Sequence, residues 1–139
     1  MRFVVLAIVI FAAYSAYNQF FSKPKEFHTG PYIAPELQEA VYKARSTIDA
    51  IRAGISRDAK RNSFSGKAPY PEYLTKEPSH LFDNVLISPV LPSSQGWQMR
   101  AHNSYTYTYG PGQRADFEYD PRNGEFSCVS SYEVCQLFE

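Results

Sequence analysis

The two cysteines of the chain, Cys128 and Cys135, are its most chemically informative residues. They lie close together in the sequence, and Cys128 directly follows the aromatic segment GEFS. A redox-active pair is usually spaced Cys-x-x-Cys, and two cysteines without nearby histidines are too few for a structural zinc site. The spacing therefore favours a disulfide that closes a short loop. Such a bond places this part of the protein in an oxidising compartment.

Serine, histidine and acidic residues are present, but they form no motif typical of an enzyme. The sequence contains no GxSxG, no HExxH, no glycine-rich phosphate loop and no paired carboxylates. His28, His80 and His102 are scattered along the chain. Acidic and basic residues balance at 14 each, so no net charge attracts nucleic acid. We expect no enzymatic activity, no cofactor and no metal site.

Residues 3–21 carry no charge, and every residue from 3 to 13 is apolar. As a helix, this segment would be about 28 Å long, close to the thickness of the bilayer core. We therefore predict that residues 1–21 form a membrane anchor. Its large apolar members are Phe3, Val4, Val5, Leu6, Ile8, Val9, Ile10 and Phe11.

Two other interpretations of this segment remain open. Arg2 is suited to the basic region of a cleaved signal peptide, with Ala13 and Ser15 at the spacing of a cleavage site. A buried helix of a soluble core is the third interpretation.

Residues 22–34 are rich in proline, which predicts an extended tether, because proline lacks the amide donor that a helix needs. The segment 35–62 then predicts a long amphipathic helix that begins at Pro35. Its apolar residues recur at helical spacing and form one stripe: Leu37, Val41, Ala44, Ile48, Ile51 and Ile55. We expect this stripe to pack against a sheet of the same chain. A coiled coil with a partner is the alternative.

Four segments after residue 95 alternate with a period of two, which predicts strands at 96–103, 105–110, 115–120 and 124–129. The run DPRNG between the last two has the residues of a hairpin turn. In the proline-rich stretch before the strands, apolar residues are expected to close one edge of the core: Leu74, Leu81, Phe82, Val85 and Leu86. The predicted fold class is α+β, with one long helix on a four-stranded antiparallel sheet.

This organisation resembles that of type IV pilins and type II secretion pseudopilins. The resemblance covers the helix from Pro35, the loop LFDNVLISPV, the strands GWQMR and YTYTYG, and the run FEYDPRNGEFSC with the final cysteine. It implies a pilin-like globular domain at 35–139. Three features differ from the family. Met1 and Arg2, the residues before Phe3, do not include the glycine that ends a prepilin leader. Ala7 stands where prepilins have a glutamate, and a proline-rich tether separates the apolar segment from the amphipathic helix.

The resemblance implies a structural subunit or accessory component of a bacterial pilus or type II secretion-type assembly. The chain would be anchored in the inner membrane with its carboxyl-terminal domain in the periplasm. Its partners would be other pilin-like subunits or envelope assembly proteins. The alternative is an anchored or secreted periplasmic binding module that uses its aromatic sheet or the basic end of the helix, formed by Arg57, Lys60, Arg61 and Lys67.

Overall fold

The computed structural model describes residues 32–139. The predicted anchor at 1–21 and nearly all of the predicted tether lie outside these residues. Two helices and four strands follow one another in the chain: α1 (Pro35–Ser65), β1 (Trp97–Ala101), β2 (Ser104–Gly110), β3 (Gln113–Asp120), β4 (Glu125–Cys128) and α2 (Tyr132–Phe138). Within residues 32–139, no helix has both the length and the apolar character needed to cross a membrane. The predicted α+β class is confirmed.

A proline and a glycine mark the two ends of helix α1. Pro35 occupies the first turn, where its missing amide hydrogen costs nothing, and Ala34 before it is extended. The helix continues three residues beyond the predicted segment and ends at Gly66, whose φ of 73° is the left-handed conformation that glycine adopts readily. The Gly66 amide donates to the carbonyl oxygen of Asn62, as does that of Lys67.

The predicted apolar stripe of α1 faces the sheet. Its fully buried members are Val41, Ala44, Ile48, Ile51 and Ile55, and Leu37 is half-buried against the same core. The Tyr107 hydroxyl of β2 donates to the Ala40 carbonyl oxygen at 2.7 Å, which joins the middle of the sheet to the helix. The stripe therefore packs within the chain.

The four strands form one antiparallel sheet in the order β1-β2-β3-β4. Tyr105 lies opposite Phe117, and Tyr119 lies opposite Phe126. Because side chains alternate along a strand, these aromatic rings share the face that meets α1. Tyr105, Tyr107 and Tyr109 are all buried there, as the alternation in YTYTYG predicts.

The loop between α1 and β1 supplies the centre of the core. Phe82 is fully buried, and its ring centroid lies 4.4 Å from that of Tyr105 and 5.4 Å from that of Trp97. Turns and two isolated bridges, Glu77 to His80 and Leu81 to Val90, shape this loop. The Thr75 hydroxyl accepts from the Phe82 amide at 3.0 Å and lies 2.6 Å from the Tyr105 hydroxyl.

Gly54 allows α1 to approach this loop closely. A Cβ at this position would collide with the carbonyl oxygen of Val85, and backbone cannot move aside as a flexible side chain can. We predict that Gly54→Ala lowers the free energy of unfolding by about 1–3 kcal/mol, although alanine is the better helix former. Urea denaturation measures the effect. The control Ser56→Ala changes an exposed residue of the same helix. Equal stability of the two variants would contradict the close approach of Gly54 to the Val85 backbone.

Candidate functional site

The predicted bond between Cys128 and Cys135 is present, with 5.5 Å between the two Cα atoms. Cys128 ends β4, and Cys135 lies in α2. The bond therefore connects the last strand to a short helix that the sequence reasoning did not predict. A signal for this helix was available, because Ser131 is its N-cap and accepts from the Val134 amide.

Helix α2 also contacts the core of the domain directly. Phe138 is buried, and its ring lies 5.3–6.0 Å from those of Tyr107, Tyr109 and Phe117. Arg45 of α1 donates from Nε to the Leu137 carbonyl oxygen at 2.6 Å. The disulfide thus closes a segment that also fills part of the core.

Arg52 joins α1 to both β4 and the carboxyl terminus. Its Nε and Nη2 both donate to the carbonyl oxygen of Phe126, at 3.1 and 2.9 Å. Nη2 also lies 2.9 Å from the Glu139 carboxylate. This guanidinium occupies the outer edge of β4, where backbone groups would otherwise be free to pair with another strand. Arg52 of α1 therefore covers one backbone carbonyl group at the β4 edge of the sheet.

Between α1 and the loop after Val85 lies a surface groove of about 560 Å³. Its helix side contains Ala50, Ala53 and Gly54, and its loop side contains Leu86 and Ile87. The Ile87 side chain is 91% exposed. The groove therefore combines one protruding apolar side chain with small exposed residues of the helix.

Arg57 and Arg61, two members of the predicted basic cluster, make structural contacts at the edge of this groove. Arg57 donates to the Val85 carbonyl oxygen at 3.1 Å, and Arg61 pairs with the buried Asp58 at 2.7 Å. Lys60 and Lys67 are exposed. The cluster is therefore partly a structural element and partly a positive surface at the end of α1.

On the face of the sheet that is turned away from α1, a threonine of β2 is buried. Thr106 is buried, and its hydroxyl donates to the Asp116 carboxylate at 2.7 Å. The Asp116 amide donates to the Ser130 hydroxyl at 2.8 Å, and Arg100 lies 3.5 Å from the same carboxylate. The segment after β4 folds back along β3 through this contact.

The acidic residues near the last hairpin are also engaged in local contacts. Hydrogen bonds from the Arg122 side chain and backbone amide hold the pKa of Asp120 below its usual range. The Asn123 side chain accepts from the Glu125 amide at 3.0 Å, which stabilises the turn. Within residues 32–139, no group of three or more histidine, cysteine or acidic side chains is arranged to hold a metal ion.

Two buried tyrosines use their hydroxyl groups to connect the sheet to the loop. The Tyr119 hydroxyl donates to the Pro71 carbonyl oxygen at 2.8 Å, and the Tyr105 hydroxyl meets Thr75. Burial raises the pKa of Tyr105 to about 12 and that of Tyr119 to about 12. These phenols therefore stay neutral in the folded protein over the ordinary pH range, and their contacts are structural.

The raised pKa values predict a loss of stability in alkali. The unfolded chain releases these protons near pH 10 and the folded chain near pH 12. Stability is therefore complete below pH 10 and falls as the pH rises through this window, by up to about 1.4 kcal/mol per pH unit for each tyrosine. Urea denaturation at stepped pH values measures the slope.

Two variants test this assignment of the alkaline slope. Tyr119→Phe removes one of the buried phenols whose pKa is raised and should reduce the slope. Tyr132→Phe changes an exposed tyrosine and should leave the slope unaltered. A reduced slope in Tyr132→Phe, with an unaltered slope in Tyr119→Phe, would contradict the assignment.

Comparisons with protein-family models, with curated proteins and with solved structures find no match for this chain.

Proposed function

We propose that this chain is a pilin-like structural component of a bacterial envelope assembly, anchored by residues 1–21 and facing the periplasm. The observation that carries the proposal is the disulfide-closed carboxyl terminus next to a long helix that lies on a four-stranded antiparallel sheet. This is the arrangement that the pilin resemblance implies. The chain would act through contacts with other proteins rather than through a reaction.

The disulfide supports the compartment in this proposal. A bond between Cys128 and Cys135 persists where the surroundings are oxidising, as in a bacterial periplasm. With the apolar segment as an anchor, this domain would then lie on the periplasmic side and the amino terminus in the cytoplasm.

The start of α1 favours a second candidate, an anchored periplasmic module that does not polymerise. Ala34 has φ −55° and ψ 139°, which is extended backbone, and α1 begins only at Pro35. Pilin filaments use a membrane helix that continues directly into the amphipathic helix. A separate start is suited to a domain held at a distance from its anchor.

Thiol labelling of the full chain tests the location. Lys76→Cys introduces a single free thiol at an exposed position in the loop. In intact spheroplasts, a reagent that cannot cross membranes should label this thiol, while Cys128 and Cys135 should react only after reduction. Labelling of the introduced thiol only after lysis, or of the native cysteines without reductant, would contradict the proposal.

Cell fractionation distinguishes the two candidates. A filament subunit should appear among surface filaments removed by shearing, whereas an anchored module should stay in the inner membrane. Recovery of a chain without residues 1–21 in the soluble periplasm would exclude both anchored forms.

A further inference from the structure

Opposite its buried stripe, α1 has an outer face that nothing covers within residues 32–139. With 3.6 residues per turn, Glu39, Tyr42, Ala53, Arg57, Lys60 and Phe64 all lie on this face. All six are exposed, and the side chains of Tyr42 and Phe64 are 53% and 92% accessible. We call these residues, with Asp49 and Ala50 beside them, the outer face.

The outer face carries opposite charges at its two ends. Its amino-terminal half contains the acidic residues Glu39 and Asp49, and its carboxyl-terminal half contains Arg57 and Lys60, with Arg61 beside them. Two ion pairs lie within these halves, Lys43 with Glu39 at 3.1 Å and Arg61 with Asp58 at 2.7 Å. The excess negative charge of the first half is therefore that of Asp49, and the excess positive charge of the second half is that of Arg57 and Lys60. The aromatic residues Tyr42 and Phe64 lie one in each half.

This distribution determines how two copies of α1 would pair. Parallel helices would place the basic halves against each other, and like charges at close range repel. Antiparallel helices place the acidic half of each copy beside the basic half of the other, and Tyr42 of each near the Arg61–Phe64 turn of the other. Charge complementarity therefore selects the antiparallel arrangement.

The middle of the outer face permits close approach. Ala50 and Ala53 are exposed and have small side chains, so two helix backbones can come near each other there. Ile87 projects from the adjacent loop beside the same groove and adds apolar surface at the crossing point.

We propose that two copies of this chain associate through the outer face of α1, antiparallel, with their helices crossing near Ala50 and Ala53. The contact is isologous, since each copy uses the same surface, and it forms a closed pair. The inference does not depend on the proposed function. A pair would form whether or not the chain belongs to a larger assembly.

Cysteine cross-linking of the full chain in native membranes tests the geometry. In the antiparallel pair, Glu39→Cys on one copy lies near Phe64→Cys on the other, while two copies of Glu39→Cys are about 37 Å apart. We expect a cross-linked dimer when the two variants are produced together with different tags, and none from Glu39→Cys alone. Ala53→Cys should cross-link with itself.

Other cross-linking results would overturn the proposal. Dimers of Glu39→Cys alone and of Phe64→Cys alone would show parallel helices. Absence of a dimer in the mixed sample would show that the outer face is not an interface. Gln98→Cys, an exposed position on the far face of the sheet, is the control for random collision and should give no dimer.

A charge placed at the crossing point separates the contact from the fold. Ala53→Glu keeps a good helix former at an exposed position, so the domain should retain its stability. It would bury a carboxylate between the two helices and weaken the association about tenfold or more. The yield of the cross-link between the Glu39→Cys and Phe64→Cys copies should fall accordingly, while Gln98→Glu should leave it unchanged. An unchanged yield with Ala53→Glu would overturn the proposal.

The outcomes of these tests are distinct from those of the thiol-labelling test. A periplasmic domain without the cross-link would contradict only the pairing. A cross-linked pair whose native cysteines react without reductant would contradict only the proposed compartment.

Discussion

Replacing Phe82 with alanine is expected to lower the free energy of unfolding by about 3–5 kcal/mol, the cost of removing a large aromatic side chain from a packed core. Phe82 is fully buried although it lies in a loop. Its ring contacts Trp97, Tyr105 and Phe126, with centroid distances of 5.4, 4.4 and 5.9 Å. The loop backbone is fixed by the bridge from Leu81 to Val90 and by the hydrogen bond from the Phe82 amide to Thr75. Because these contacts limit collapse, the cavity should remain open.

Phe82 also has a positive φ of 61°, a conformation that side chains with a Cβ adopt only at a cost. Burial of the ring offsets this strain. Glycine adopts the same backbone angle freely, so Phe82→Gly should be about 1 kcal/mol less destabilising than Phe82→Ala. At ordinary helix and loop positions glycine destabilises a protein more than alanine does, so the expected order of the two variants at position 82 is reversed.

Urea denaturation followed by circular dichroism, with the disulfide intact, measures both variants. Ile87→Ala is the matched control, because Ile87 lies in the same loop but is almost fully exposed. It should change the free energy of unfolding by less than about 0.5 kcal/mol. A cost for Phe82→Ala near that of Ile87→Ala would mean that the loop is not part of the core.

The helix and the four strands were predictable because their signals are local. The buried stripe from Leu37 to Ile55 has a period near 3.6, and YTYTYG has a period of two, so each stretch indicates its own structure. The conformation of Phe82 has no such signal. It depends on Thr75, Trp97 and Tyr105, which only the folded chain brings together.

The disulfide was also predictable, whereas the contacts of the segment that it closes were not. Seven residues are too few to show a clear helical period, and Arg45 reaches Leu137 from 92 positions earlier in the chain. The burial of Thr106 was not predictable for the same reason. The segment near Ser130 that covers it follows β4 in the chain and meets β3 only after folding. Contacts between distant residues leave no periodic pattern in the sequence.

The outer face of α1 was present in the sequence as the charged positions opposite the buried stripe. Basic residues at the end of a helix are usually solvated, so their pattern alone does not indicate a contact surface. The structure adds that Phe64 and Ile87 are nearly fully exposed near this face. Exposure is a property of the folded chain, so the sequence alone did not separate a contact surface from an ordinary solvated one.

Phe138→Ala is expected to lower the free energy of unfolding by about 3–5 kcal/mol while the disulfide is intact. The Phe138 ring fills the space beside Tyr107, Tyr109 and Phe117, and the bond from Cys135 to Cys128 holds α2 over that space. With α2 tethered, the chain cannot simply release the segment and let water reach the gap. The full cost of the cavity should therefore appear in the free energy of unfolding.

The same substitution should cost much less when the tether is absent. Replacing both cysteines with serine should itself cost about 2.5 kcal/mol, from the chain entropy of an eight-residue loop. In that background, α2 is held by Phe138, by the bonds from Arg45 and Arg52 and by partial packing of Val134 and Leu137. Phe138 is the one buried ring among these contacts, so its loss should loosen the whole segment. Phe138→Ala then removes less of the free energy of unfolding, so the costs of the two changes should not be additive.

A double-mutant cycle measures this coupling, with Phe138→Ala and the paired serine substitution combined in the full chain. We expect the combined cost to be at least about 1 kcal/mol smaller than the sum of the separate costs. Gln136→Ala, an exposed change in the same helix, is the control and should be additive with the serine pair. Additive costs for Phe138→Ala would show that the ring keeps its place without the disulfide. The bond would then act only by restricting the unfolded chain and would not hold α2 against the core.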